Sequence, residues 1–191
     1  MNLPNQITVG RLGLTAILFA HLELVCRDAT SGWPWYFAAA LFVITVLSDG
    51  LDGYLARSRG QVTAFGRIAD PFADKILICG TLVLCHSLPQ TSLYTPSWIV
   101  LVVLAREFLV SGLRGYLEGQ GTRFDARWEG KTKLIAQAIY CGALLFYPGD
   151  SFEWIGWCAL VFLWATFLIT IYSSVSYVRS AIRLLTKAAD I

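Results

Sequence analysis

The chain has 191 residues, 56% of them hydrophobic and only 15% charged, with a formal net charge of +2. Its mean hydropathy is +0.59, whereas an average soluble domain is about half apolar and roughly a quarter charged. That apolar excess is too large for one water-soluble core of this size, which excludes an ordinary soluble domain and predicts an all-α integral membrane protein. Five cysteines, Cys26, Cys79, Cys85, Cys141 and Cys158, are widely spaced without a CxxC pair, as expected of small apolar fillers rather than a disulfide frame or a zinc site. Nothing in the composition calls for a nucleic-acid partner.

Crossing the hydrocarbon takes about 20 mostly apolar residues, and about six stretches meet that need. The opening Met1-Asn2-Leu3-Pro4-Asn5 lacks the basic region of a signal peptide, and no small-residue cleavage motif follows, so none is expected. The first stretch, Ile7–Cys26, contains Arg11, His21 and Glu23. Its opening turns are therefore expected along the interface, with Arg11 a surface charge against anionic lipid. Turn chemistry at Thr30-Ser31-Gly32-Trp33-Pro34 leads into Trp35–Ala56, and Ser58-Arg59-Gly60 separates that from Phe65–His86. Leu88-Pro89-Gln90 precedes Ser97–Leu117, and Gly119-Gln120-Gly121 precedes Thr132–Phe146. Tyr147-Pro148-Gly149 then precedes Phe152–Tyr177. Neither an internal repeat nor a low-complexity segment divides the chain, so residues 1–191 are expected to form a single transmembrane domain.

Loop charges orient the six spans. Arg57, Arg59 and Arg67 flank one connection, Arg123, Arg127, Lys131 and Lys133 fill another, and Arg179, Arg183 and Lys187 end the chain. The opposite connections hold only Arg27, beside Asp28, Asp150 and Glu153. The excess of Lys and Arg on one side places both termini in the cytoplasm. Trp33, Trp35, Tyr36, Trp98, Tyr147, Trp154 and Trp157 then gather at the outer boundary as an aromatic belt. His21 and His86 stand nearer the outer helix ends, away from the acidic residues, and no catalytic role is expected of either.

The chemistry concentrates between Asp49 and Asp74. Asp49 and Asp52 are spaced i, i+3 near the cytoplasmic end of the second span, and Asp70 and Asp74 are spaced i, i+4 near that of the third. Each pair shares a helix face, and the short connection makes the helices antiparallel neighbours whose acidic faces can meet. Each charge at membrane depth costs about 2.5–3.5 kcal/mol even on the lenient insertion scale, and four close carboxylates repel one another. Hard divalent cations relieve both costs, and oxygen ligands without His or Cys suit Mg²⁺, Mn²⁺ or Ca²⁺ rather than zinc. Either pair alone would pass as a solvated helix end; the two together at this spacing do not. Gly53, Ala56 and Gly66 would let a nucleotide lie against the backbone, and Arg57 follows one turn below to meet a phosphate charge.

These positions resemble the signature of the CDP-alcohol phosphotransferase family, D-x-x-D-G-x-x-A-R-x(8)-G-x-x-x-D-x-x-x-D. Every fixed position is filled, by Asp49, Asp52, Gly53, Ala56, Arg57, Gly66, Asp70 and Asp74. Asn2-Leu3-Pro4-Asn5-Gln6-Ile7-Thr8, Asp70-Pro71-Phe72-Ala73-Asp74-Lys75, Arg106-Glu107-Phe108 through Gly112-Leu113-Arg114, and Gly130-Lys131-Thr132-Lys133 are similar to the phosphatidylglycerophosphate synthase branch of that family. The segment Arg123–Glu129 is more charged than that likeness leads one to expect.

The resemblance implies one displacement at the β-phosphorus of CDP-diacylglycerol by the hydroxyl of glycerol 3-phosphate, with CMP leaving. It implies two divalent cations, Mg²⁺ or Mn²⁺, on Asp49, Asp52, Asp70 and Asp74. Asp74 would serve as general base, and Asp52, Gly53, Ala56, Arg57, Gly66 and Asp70 would bind the CDP moiety. A phosphorylated acceptor needs a basic pocket, for which Arg106, Arg114, Lys131 and Lys133 are the candidates. A homodimer in lipid, in the bacterial cytoplasmic membrane with the site facing the cytoplasm, completes the expectation. The alternatives are the same chemistry on inositol phosphate, serine or phosphatidylglycerol, a cation transporter built on the intramembrane acids, and a passive scaffold.

Overall fold

A computed structural model describes residues 3–58, 64–119, 128–149 and 153–189, except the side chains of 3–4, 49–58, 64–65, 67–68, 128–131, 149, 153 and 184–189. Among the described residues six α-helices carry the fold: α1 Leu3–His21, α2 Trp33–Ser58, α3 Ala64–Ser87, α4 Ser97–Gly119, α5 Trp128–Phe146 and α6 Glu153–Ala189. No strand occurs among the described residues. A π-helical turn, Leu22–Cys26, continues α1, and 3₁₀ turns at Ser92–Tyr94 and Tyr147–Gly149 fill two connections.

Local chemistry accounts for the boundaries. Gly32 takes φ 95, a left-handed conformation that only glycine adopts without cost, and turns the chain into α2. Pro34 lies in the first turn of α2, where a missing N–H breaks no helical bond. Pro71 lies inside α3, where it removes the helical donor to the Arg67 carbonyl within the acidic stretch. The last helix runs well past Tyr177 because Ser180-Ala181-Ile182-Arg183-Leu184-Leu185 contains neither Gly nor Pro to stop it.

Many large apolar side chains lie on the outside, and several charged ones lie inside beside an apolar core. Ile17, Leu47, Leu101, Phe108, Val161 and Leu168 are exposed, whereas Arg11, Arg106, Glu107, Lys133 and Gln137 are buried. Exposed apolar side chains in this number, with charges buried, depart from a water-soluble protein and are what a lipid solvent selects. Among the described residues, Asn5–Cys26 and Trp154–Arg183 are long and apolar enough to cross a membrane, with mean hydropathies of 1.6 and 2.0. Trp33–Ser48 and Thr132–Phe146 form shorter apolar helices. The charges inside α3 and α4 lower their hydropathy.

The central core joins Leu18 of α1, Phe42 of α2, Leu82 of α3, Val103 of α4, Tyr140 and Leu144 of α5, and Leu163 of α6. Three connections meet at one end. The Gln90 amide donates to the carbonyls of Arg27 (3.2 Å) and Ala29 (3.0 Å), and the Tyr94 hydroxyl donates to that of Tyr147 (3.2 Å). Buried Trp35 donates its indole N–H to the Ala29 carbonyl there, while Trp33, Tyr36, Trp98, Trp154 and Trp157 are exposed. Both histidines belong to this end. His21 Nε2 lies 2.9 Å from the Pro34 carbonyl and His86 Nδ1 2.9 Å from that of Thr95, so each ties helix to loop.

Candidate active site

The acidic pair on α3 is met by α1. Asp70 and Asp74 lie one helical turn apart, and between them and α1 runs a set of directed contacts. The Thr8 hydroxyl donates to Asp70 Oδ1 at 2.7 Å. The Arg11 guanidinium donates to Asp74 Oδ1 at 3.2 Å and to the Asp70 carbonyl at 3.5 Å, and lies 3.7 Å from Asp70 Oδ1. Thr8 and Arg11 sit i, i+3 on one face of α1, so this helix must dock closely for both to reach α3. Gly80 makes that approach possible, since a Cβ there would fall 2.2 Å from the Phe19 ring.

Arg11 corrects the expectation of a lipid-facing surface charge. It is 2% exposed, and its fork is turned inward. A buried guanidinium needs a carboxylate partner, and in this fold the acidic pair provides one. Arg179 and Arg183, by contrast, are exposed on α6 as expected. Thr8 and Arg11 are the site residues that sequence reasoning missed. The available signal was their i, i+3 spacing in a stretch whose lone internal cation needed an intramembrane partner.

The carboxylates themselves are only partly covered: the side chains are 43% exposed at Asp70 and 28% at Asp74. Held from the α1 side and partly exposed, with oxygen donors alone, the pair fits a hard divalent cation, and Thr8 and Arg11 stand where outer hydrogen-bond partners orient ligands. Among the described residues no group of three or more His, Cys, Asp or Glu side chains comes together. Asp49, Asp52, Gly53, Ala56 and Arg57 stand on the last turns of α2, and their side chains lie outside the described residues. Gly66 is buried in the first turn of α3.

The basic candidates divide. Arg106 and Lys133, on α4 and α5, are both buried and share one carboxylate oxygen, Glu107 Oε1, with Arg106 Nη1 at 3.3 Å and the Lys133 ammonium in direct contact. The second fork nitrogen of Arg106 donates to Ser173 Oγ of α6 at 3.4 Å, and its guanidinium lies over the Tyr177 ring. Arg106 Nε and Gln137 Nε2 are buried without a hydrogen-bond partner. Two basic side chains against one carboxylate, with Arg106 Nε unsatisfied, give this enclosed cluster the chemistry of an anion site. Arg114 does not join them; it is half exposed and pairs with Glu118 at 3.0 Å, one turn along α4. The side chain of Lys131 lies outside the described residues, as do Arg123 and Arg127.

Residues 1–172 match the family described as CDP-alcohol phosphatidyltransferase. Among curated proteins the chain is similar to the CDP-diacylglycerol--glycerol-3-phosphate 3-phosphatidyltransferase of Bacillus subtilis (strain 168), 36% identical over 184 residues that cover 92% of this chain and 93% of the relative. Proteins of the same description from Shigella flexneri serotype 5b and Escherichia coli (strain K12) are 33% and 30% identical over 185 residues, covering 94% of each chain.

Proposed function

The chain belongs to the CDP-alcohol phosphatidyltransferase family, and from that premise we propose that it transfers a phosphatidyl group from CDP-diacylglycerol to glycerol 3-phosphate. The products are phosphatidylglycerol phosphate and CMP. The observation that carries this reading is the acidic pair Asp70–Asp74, held by Thr8 and Arg11 across from α1 and completing a signature that spans α2 and α3. Relatives described by that activity, aligned over nearly the whole chain, support the acceptor.

Asp49, Asp52, Asp70 and Asp74 would hold two divalent cations, Mg²⁺ or Mn²⁺, which when bound would supply charge stabilisation at the diphosphate. Asp52, Gly53, Ala56, Arg57, Gly66 and Asp70 line the CDP moiety. Arg106, Lys133 and Lys131 draw in the acceptor's phosphate, while Arg114, paired with Glu118, stands apart from them. Asp74 takes the proton of the acceptor hydroxyl as its oxygen attacks the β-phosphorus. The bond from that phosphorus to the CMP oxygen breaks, and CMP leaves with the electron pair. Arg11 and Thr8 hold the carboxylates in place throughout.

The whole chain acts as one transmembrane domain whose six helices span a bacterial cytoplasmic membrane, with termini and site facing the cytoplasm, and it works as a homodimer. The test is CMP release from CDP-diacylglycerol by purified protein with Mg²⁺ or Mn²⁺, offering glycerol 3-phosphate, inositol phosphate and serine separately. Release with glycerol 3-phosphate alone, abolished by Asp74→Asn, is expected. Release with another acceptor keeps the chemistry and replaces the substrate; no metal-dependent release from folded protein refutes the assignment.

A further inference from the structure

Lys75 follows Asp74 directly, so a helical step of about 100° turns it from the α1 side of α3 toward α4. There its ammonium donates to Ser111 Oγ at 2.5 Å, and the Ser111 hydroxyl donates in turn to the Glu107 carbonyl at 2.5 Å. Ser111 lies one turn beyond Glu107, the residue that joins Arg106 and Lys133. Lys75 is half-buried, and in this structure no carboxylate within ion-pair distance of it appears among the described residues. A lysine inside a membrane protein without such a counter-ion, pinned by a neutral hydroxyl, calls for an anion from elsewhere.

We infer that Lys75 contacts the phosphate of the acceptor, its ammonium set by Ser111 between the carboxylate pair Asp70–Asp74 and the cationic cluster Arg106–Lys133. The inference rests on the phosphatidyl-transfer reading above and extends it by a residue that neither acidic signature nor basic cluster contains. The position has a chemical logic. The acceptor's hydroxyl must reach Asp74 while its phosphate lies in the basic region, and Lys75 stands on α3, which carries Asp74 and packs against both α4 and α5. An ammonium at that boundary selects acceptors that carry a phosphate over neutral or zwitterionic alcohols.

The experiment is steady-state CMP release from CDP-diacylglycerol against glycerol 3-phosphate concentration, with wild type, Lys75→Gln, Lys75→Arg and Ser111→Ala, and with inorganic phosphate as competing anion. Lys75→Gln is expected to raise the acceptor KM roughly tenfold or more, the loss of one charge-assisted bond, and to weaken inhibition by phosphate in parallel. The KM for CDP-diacylglycerol should stay within about twofold, and Lys75→Arg should restore most of the acceptor affinity. Ser111→Ala leaves every charge in place, and severalfold weaker acceptor binding is expected of it; this variant decides the matter if Lys75→Gln does not fold. An unchanged acceptor KM in folded Lys75→Gln overturns the inference, as does an unchanged KM in Ser111→Ala when the lysine variant cannot be made. So does a loss confined to kcat. Wild type that releases no CMP with any acceptor brings down the phosphatidyl-transfer reading and this inference with it.

Discussion

Replacing Arg11 by Met separates a buried tie from a surface ion pair. The substitution keeps an unbranched chain of similar length on α1 and removes the fork that reaches Asp74 at 3.2 Å and the Asp70 carbonyl at 3.5 Å. A hydrogen bond to a charged group contributes about 1.5–3 kcal/mol. The 3.5 Å and 3.7 Å contacts add little at those lengths, and the partial exposure of both carboxylates screens the charge. The expected loss is therefore about 2–3 kcal/mol, a fall in Tm of roughly 4–12 °C for a chain of this size. Arg27→Met is the internal control. Its pair with Glu23 is shorter, 2.6 Å, but the two side chains are 48% and 44% exposed, and such pairs contribute only about 0–1 kcal/mol. Thermal unfolding of the detergent-solubilised protein, followed by tryptophan fluorescence, compares the two. Equal shifts, or a larger one for Arg27→Met, would refute the argument that burial rather than distance sets the worth of these ties.

Glu107→Gln leaves Arg106 and Lys133 buried against each other without their shared anion. Breaking such a cluster is expected to cost about 3–5 kcal/mol, read as a fall in the yield of folded protein and in Tm; a Tm within 2 °C of wild type, by the scaling above about 1 kcal/mol or less, would contradict it. Gly80→Leu drives a side chain into the Phe19 ring, 2.2 Å from where the first carbon would sit, and is expected to cost about 1–3 kcal/mol by overpacking. Phe19→Ala in the same molecule should recover part of that loss, and additive destabilisation would show that the α1–α3 seam lies elsewhere. Removing divalent cations with a chelator should abolish CMP release and adding Mg²⁺ or Mn²⁺ should restore it, whereas release that persists in the chelator would remove the metal role from the four aspartates.

The sequence by itself determined the class of the protein and the chemistry it carries. The apolar excess requires a lipid solvent, and breaks at Gly, Pro and Ser separate the successive apolar stretches. The spacing of Asp49, Asp52, Asp70 and Asp74 marks two acidic helix faces, because helical periodicity makes such spacing readable along a single segment, and with Gly53, Ala56, Arg57 and Gly66 the stretch resembles the family signature. Only the tertiary structure decided which distant charges answer one another. Arg11 reads as a lipid-facing cation until α1 is laid against α3 and its fork meets Asp74. Arg106 and Lys133 read as two members of one basic set with Arg114, yet α4 and α5 each pack on α3 and α6, which buries the first two around Glu107 and leaves Arg114 outside. Lys75 looks like one more residue of a local motif until Ser111 is found holding it. Pairing between helices depends on their rotation and depth in the bundle, which follow from the whole set of apolar contacts rather than from any local spacing.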